Sequence, residues 1–99
     1  MARYTAGAIR QVDRLRRHFE AKGRPEAAEN LERALNEAEA HIAERPEAGL
    51  PAPRPYPELA AAGRAWIKAR RYWIAYSTGT PPVILAVFYE QANIPKRLR

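Results

Sequence analysis

Three basic residues stand beside an aromatic residue in the segment Lys68-Ala69-Arg70-Arg71-Tyr72. In an extended strand, residues two positions apart share a face, so Lys68 and Arg70 are predicted to lie side by side. Tyr76 is predicted to share the face of Tyr72 by the same alternation. Cations beside aromatic rings can hold phosphates and stack on nucleobases, which makes this segment a candidate for contacts with nucleic acid. The alternative is that these charges only discourage aggregation at a sheet edge.

The other residue types offer little catalytic chemistry. The chain has no cysteine, which excludes thiol catalysis and cysteine-ligated metal sites. His18 and His41 both fall in predicted helices and have no paired carboxylate motif beside them. The sequence contains no metal-ligand spacing, phosphate-cradling glycine loop or nucleophile elbow, so we expect no metal and no cofactor.

Charge is distributed unevenly along the 99 residues, whose net charge is +6. Residues 1–24 carry seven Lys or Arg against two acids, and residues 25–49 carry two against seven. Residues 50–99 again carry eight basic residues against two acids. Such a surface attracts polyanions or acidic protein segments, although the same charge also favours solubility.

Two helices are predicted in the N-terminal half. The first begins after Thr5, which is a suitable N-cap, and ends near Lys22. The second runs from Pro25 to Glu44, and apolar residues recur at spacings of three and four along both helices. Gly23 is a natural helix stop, and the short connection predicts an antiparallel helical hairpin.

The C-terminal half has the pattern of strands. Residues 46–63 contain five of the nine prolines, which exclude a long regular element and predict a surface connection. From Arg64 onward the residues alternate as in a strand, and Tyr72–Tyr76 is aromatic and branched. A turn at Ser77–Thr80 leads to Val83–Tyr89, an apolar run predicted to be the central strand.

The order of these elements predicts a single α+β domain over residues 1–99, an N-terminal antiparallel helical hairpin packed on a three- to four-stranded antiparallel sheet. Met1–Tyr4 would add a short edge strand. Trp66 and Trp73 are expected in the core of the sheet. No apolar run approaches the ~18–20 residues of a membrane helix, and no signal-peptide stretch is present, so we expect a soluble, cytoplasmic protein.

Several segments, in their order and spacing, carry a resemblance to a known family. Pro46-Glu47-Ala48-Gly49 is similar to a Pro-x-x-Gly motif after the second helix, and Tyr72–Tyr76 to a Tyr-x-x-x-Tyr strand. Asn93-Ile94-Pro95 is similar to an Asp-Ile-Pro ending after the last strand. Over nearly its whole length the chain resembles the RelE/ParE superfamily, the toxins of bacterial type II toxin–antitoxin systems, in which a helical hairpin packs on an antiparallel sheet.

The closing segments resemble the ParE-like, or plasmid stabilisation, branch of this superfamily. That resemblance implies a protein inhibitor of DNA gyrase that is not itself an enzyme. It also implies a cognate antitoxin that binds and neutralises the toxin in a hetero-oligomer, at a surface that the motifs leave open. The basic end of the sheet and the basic tail are the expected target contacts, namely Lys68, Arg70, Arg71, Tyr89, Lys96, Arg97 and Arg99.

The RelE branch is the alternative, and it implies a ribosome-dependent endoribonuclease acting on messenger RNA. In that case Lys68 would be the base or phosphate clamp, Arg70 and Arg71 would stabilise charge, and Tyr89 would be the acid. This sequence departs from the pattern of both branches just after the last strand. ParE-like members often have His at the position of Tyr89, and the ribonucleases have a basic residue at the position of Glu90. An acid there would repel the phosphate. A third possibility is a member that binds its antitoxin and has lost toxicity.

Overall fold

The computed structural model describes residues 3–97, in which two long helices precede a four-stranded mixed sheet. The predicted α+β class, with a helical hairpin packed on a sheet, is confirmed. No helix in the described range is both long and apolar enough to cross a bilayer. In chain order the elements are β1 (Arg3–Tyr4), α1 (Ala6–Ala21), α2 (Pro25–Glu44), β2 (Arg64–Ala69), β3 (Tyr72–Ser77), β4 (Val83–Tyr89) and the single-turn helix α3 (Ile94–Arg97).

The strands are arranged in the order β1-β4-β3-β2, so β4 is an inner strand as predicted. Strands β2, β3 and β4 are antiparallel to their neighbours, whereas β1 lies parallel to β4 with Arg3 opposite Val83. The predicted antiparallel pairing is therefore correct for three strands and wrong for the first. Parallel pairing needs a long crossover connection, which the two helices and two intervening strands provide here.

The helical hairpin has local causes at both ends of α1. The Thr5 hydroxyl accepts a hydrogen bond from the Ala8 N–H at 3.1 Å, which caps the first turn. Gly23 has a φ of +63°, the left-handed conformation that ends helices and that glycine adopts without a steric penalty. Arg16 of α1 pairs with Glu32 of α2, so the basic first segment and the acidic second segment attract each other across the hairpin.

The helices cover one side of the sheet, which we call the helix face. Apolar side chains from both helices meet alternate strand residues there, and small alanines on α2 allow close approach. Burial is nearly complete for Leu31 at the centre of the contact, which is 0% exposed. The buried residues that α1 and α2 contribute are Ala8, Val12, Phe19, Leu31, Ala34, Leu35, Ala38 and Ile42.

The opposite side of the sheet, which we call the tryptophan face, is also covered. Trp66 and Trp73 are buried there, as predicted, against Phe88 of β4. The proline-rich segment 46–63 was predicted only as a surface connection, but it packs on this face and pairs with β2. Leu50 and Trp66 exchange two backbone hydrogen bonds of 2.7 Å.

Candidate target-binding surfaces

The β2–β3 hairpin carries three of the predicted site residues but separates them. Strand β2 ends at Ala69, and Arg70 and Arg71 form the two-residue turn. Arg70 has a φ of 54°, a conformation that non-glycine residues seldom adopt. The prediction that Lys68 and Arg70 share a strand face is therefore wrong, because the strand stops one residue before Arg70.

Lys68 projects from the tryptophan face. Its Nζ lies 5.3 Å from the centre of the Trp73 ring and 3.1 Å from the Glu90 Oε2 atom. Arg71 Nη1 approaches the other carboxylate oxygen of Glu90 at 3.7 Å. Arg54, from the proline-rich segment, lies over the same Trp73 ring at 5.7 Å. One carboxylate thus offsets part of the positive charge at this end of the sheet.

Arg70 turns towards the helices instead. Its Nε donates a hydrogen bond of 2.8 Å to Glu37 of α2. On the same side, the rings of Tyr72 and Tyr89 meet edge to face at 5.5 Å between centroids. Burial, and then the proximity of Tyr89, raise the pKa of Tyr72 to about 12. Tyr72 is therefore neutral at physiological pH and can donate a hydrogen bond.

A cleft of about 540 Å³ opens between the turn that joins the two helices and the turn that joins β2 to β3. We call it the polar cleft. The neighbouring Tyr89 and then the charge of Glu90 raise the pKa of the Arg71 guanidinium at its rim. The cleft brings together predicted site residues with others that the sequence did not indicate, of which Arg24 is the most basic. Its lining includes Arg24, Glu26, Asn30, Arg70, Arg71, Tyr72 and Tyr89.

The C-terminal helix α3 places further basic side chains. Asn93 caps it, since its Oδ1 accepts a hydrogen bond of 3.3 Å from the Lys96 N–H. Ile94 is fully buried against the tryptophan face, whereas Lys96 and Arg97 of the same helical turn are exposed. Arg99, also predicted as a target contact, lies outside the described residues.

The predicted site is therefore divided by the sheet into two surfaces. On the tryptophan side, Lys68 and Arg54 lie over the Trp73 ring, and Lys96 and Arg97 are exposed on α3, whose Ile94 is buried on that side; we call these four cations the basic face. Arg70, Arg71 and Tyr89 instead belong to the polar cleft, on the helix side. The sequence offered one signal for Arg24, its position directly before Pro25 at a helix start, but no signal that this turn would face the β2–β3 hairpin.

No protein-family model matches this chain, and no curated protein does so either. Within residues 3–97, no group of three or more His, Asp or Glu side chains could hold a metal ion. A functional assignment consequently depends on the two surfaces described above and on the motifs that they contain.

A third feature lies on the outside of the hairpin. Ile9 is 51% exposed, a high value for a large apolar side chain. It borders a groove of about 250 Å³ between α1 and α2, whose apolar lining includes Val12 and Leu35. Tyr4 closes one end of the groove, where its hydroxyl donates a hydrogen bond of 2.7 Å to Glu39.

Proposed function

We propose that this protein is a ParE-like toxin, a protein inhibitor of DNA gyrase that a cognate antitoxin neutralises. The observation that carries the proposal is its architecture, a hairpin of two helices packed on a sheet whose three antiparallel strands follow it in the chain. The resemblance of the motifs implies this same architecture. Because fold alone does not fix function, the contacts among the motif residues add the next argument.

Two of the motifs contact each other. The Tyr76 hydroxyl, at the end of the Tyr-x-x-x-Tyr strand, donates a hydrogen bond of 2.7 Å to the Pro46 carbonyl. A Cβ atom on Gly49 would stand 2.3 Å from the same hydroxyl, so only glycine fits at the end of the Pro-x-x-Gly segment. The two motifs are therefore one packing arrangement, and their joint presence supports the resemblance more than either motif would alone.

The placement of Lys68 and Tyr89 favours binding over RNA cleavage. Lys68 pairs in register with Trp73 and shares its face, whereas Tyr89 packs with Tyr72 on the opposite face. A base and an acid that serve one phosphate must both reach it. In addition, Glu90 lies 3.1 Å from Lys68, where a ribonuclease would need positive charge for the phosphate.

The basic face is the surface that we assign to the target. Its exposed cations stand on β2, α3 and the proline-rich segment, and they leave a surface suited to an acidic protein region or to DNA held by gyrase. A supercoiling assay with purified gyrase and relaxed plasmid tests this assignment. We expect the protein to inhibit supercoiling and to accumulate cleaved DNA.

Two double variants that lose the same charge from different surfaces locate the contact with gyrase. The double variant Lys68→Gln/Lys96→Gln should inhibit at least about tenfold less well, since each lost interfacial cation costs on the order of 1 kcal/mol. The control Arg10→Gln/Arg14→Gln removes the same charge from exposed positions of α1 and should inhibit like the unmodified protein. Absence of inhibition at micromolar protein, with no cleaved DNA, would count against gyrase as the target.

The antitoxin is the second implied partner, and the groove beside Ile9 supports its existence. An exposed apolar side chain next to a groove between two helices suits the apolar stripe of a partner helix that folds on binding. Coexpression with the product of a neighbouring gene should restore growth to cells that express this protein. Ile9→Lys should weaken that rescue, and failure of every neighbouring gene to rescue growth would argue against the pairing.

Ribosome-dependent RNA cleavage is the second candidate, and one observation favours it. Arg71 and Tyr89 both line the polar cleft, where a cation and a proton donor would face one phosphate. Messenger RNA on purified ribosomes should then be cut by the unmodified protein, and the cutting should be lost in Tyr89→Phe and in Lys68→Ala/Arg70→Ala. Cleavage that persists in both variants would exclude these residues as the catalytic groups.

A further inference from the structure

We infer that the polar cleft binds the phosphate group of a single nucleotide unit, either a free nucleoside monophosphate or the terminal nucleotide of a single-stranded nucleic acid. This inference does not depend on the gyrase proposal, which concerns the basic face, whereas RNA cleavage, the second candidate function, would use this same cleft. It rests on three features of the cleft: the available donors of its guanidinium groups, a tyrosine hydroxyl that no described residue binds, and its size.

The cleft is lined by three arginines that keep hydrogen-bond donors available. Arg70 uses its Nε in the contact with Glu37, which leaves its two terminal nitrogens free. The ion pair between Arg71 and Glu90 is long, at 3.7 Å, and the Arg71 side chain is 69% exposed. Arg24 forms no ion pair with any residue in the range 3–97. Guanidinium groups bind phosphate oxygens through two parallel hydrogen bonds, so a phosphate is the group that these donors suit best.

Tyr72 supplies the second feature. The residue lines the cleft, and its hydroxyl has no hydrogen-bond partner among the described residues. This hydroxyl is not fully buried, because the buried side-chain atoms without a partner in the range 3–97 are the Arg64 Nε and the Trp66 Nε1. It is therefore accessible from the cleft and can donate a hydrogen bond to a phosphate oxygen there. Tyr72 is held in place by its edge-to-face contact with Tyr89, so the donor is already oriented before a ligand arrives.

The size and the remaining lining of the cleft select a nucleotide. A volume of about 540 Å³, bordered by a turn on each side, accommodates a phosphate with one sugar and base and is too small for a duplex. Glu26 and Asn30, on the α2 side, offer groups that can hydrogen-bond ribose hydroxyls and base edges. The ring of Tyr89 gives a base an aromatic partner, as single-stranded nucleic acids commonly use.

Calorimetric titration of the full chain tests this inference with defined probes. Adenosine 5′-monophosphate should bind at least about tenfold more tightly than adenosine, because only the former carries the phosphate. Short single-stranded DNA and RNA, each with a 5′-phosphate or a 5′-hydroxyl end, distinguish the sources. Tighter binding of the phosphorylated strands than of the mononucleotide supports a chain end as the ligand, and the reverse order supports a free nucleotide. Equal affinity with and without the phosphate, for mononucleotide and strands alike, overturns the inference.

Variants distinguish binding at the polar cleft from non-specific electrostatic attraction between the phosphate and a positively charged protein. Arg24→Gln should weaken binding of the monophosphate about tenfold, and Tyr72→Phe about threefold, since that variant removes only the hydroxyl. Arg10→Gln removes the same charge from an exposed position of α1 and should leave the affinity unchanged. An equal loss in Arg10→Gln and Arg24→Gln, or full affinity in both Arg24→Gln and Tyr72→Phe, overturns the site. The Arg24→Gln variant should still inhibit gyrase. Failure of the nucleotide inference can therefore be distinguished from failure of the gyrase proposal.

Discussion

The two faces of the sheet are buried in different ways. On the helix face, α1 and α2 pack side chains that recur at helical spacing, with Leu31 fully buried among them. On the tryptophan face, an irregular segment and the single turn of α3 bury Trp66 just as completely. A segment without helical or strand periodicity can therefore complete a core layer. For a chain of 99 residues this matters, because small domains have little surface to bury.

The composition of the proline-rich segment suits this role. Pro53 is almost fully buried, and because proline has no backbone N–H, its burial leaves no donor without a partner. The backbone of Leu50 meets that of Trp66 as a short additional strand would, which protects part of the β2 edge. Prolines also restrict the unfolded chain, so that ordering this segment costs less entropy.

Replacing Trp66 by alanine tests most strongly whether the tryptophan face is a true core. We expect a loss of about 4 kcal/mol in the free energy of unfolding, close to the cost of Leu31→Ala on the helix face, because each change leaves a cavity in a buried layer. Urea unfolding followed by circular dichroism measures both. A loss below about 1 kcal/mol for Trp66→Ala alone would mean that the proline-rich segment only rests on the sheet.

Gly49→Ala tests the close approach where the proline-rich segment leaves the helix face. The added Cβ would stand 2.3 Å from the Tyr76 hydroxyl and 2.8 Å from the Ala65 Cβ. Both neighbours are buried, so we expect a destabilisation of about 2–3 kcal/mol in thermal or urea unfolding. Gly79→Ala is the matched control, since a Cβ there meets nothing within 4 Å and should change stability by less than about 0.5 kcal/mol.

Unfolding at alkaline pH tests the packing of the helix face, where Tyr72 is buried. The pKa of Tyr72 is raised to about 12 by burial and by Tyr89, so between its ordinary value of 10.0 and 12 the folded state holds a proton that the unfolded state loses. Stability should therefore be unaffected below pH 10 and should fall as the pH rises to 12. Tyr72→Phe should flatten this decline, and an identical slope in the variant would contradict the assignment to Tyr72.

Glu90→Gln is expected to have the smallest effect on stability. Glu90 lies where the two faces meet and pairs with Lys68 and Arg71 at distances of 3.1 and 3.7 Å. Because these groups are partly exposed, the free energy of unfolding should change by less than about 1 kcal/mol. The same variant releases two cations and should strengthen binding to polyanions in a salt-dependent manner. A larger loss of stability would show that Glu90 holds the two faces together.

Features set by local interactions could be predicted well. The bounds of α2 agree with the predicted Pro25 to Glu44, and α1 differs by one residue at its C-terminal end. N-caps, helix stops and apolar spacing all act within a few residues, so the sequence contains them directly. The strands were predicted for the same reason. The turn at Arg70 was not, because neither residue of it is the glycine or asparagine that normally indicates a positive φ.

The candidate site was predicted as a set of residues but not as an arrangement. Lys68, Arg71 and Tyr89, which the resemblance groups as target contacts, all lie near one end of the sheet. These residues are divided between two faces because β2 ends at Ala69, whereas the alternation of side chains predicts that the strand includes Arg70. A shift of one residue moves every later side chain to the other face, so such an error reverses the local prediction.

The helices, the strands, their order and the excess of positive charge could be predicted from the sequence alone, because they follow from neighbouring residues and from composition. In contrast, the parallel pairing of β1, the burial of the proline-rich segment and the meeting of Arg24 with the β2–β3 turn depend on tertiary packing. Each of these joins parts of the chain that are distant in sequence. Such contacts form because apolar surface must be buried once the helices and strands exist, and the closest complementary surface depends on their packing in three dimensions.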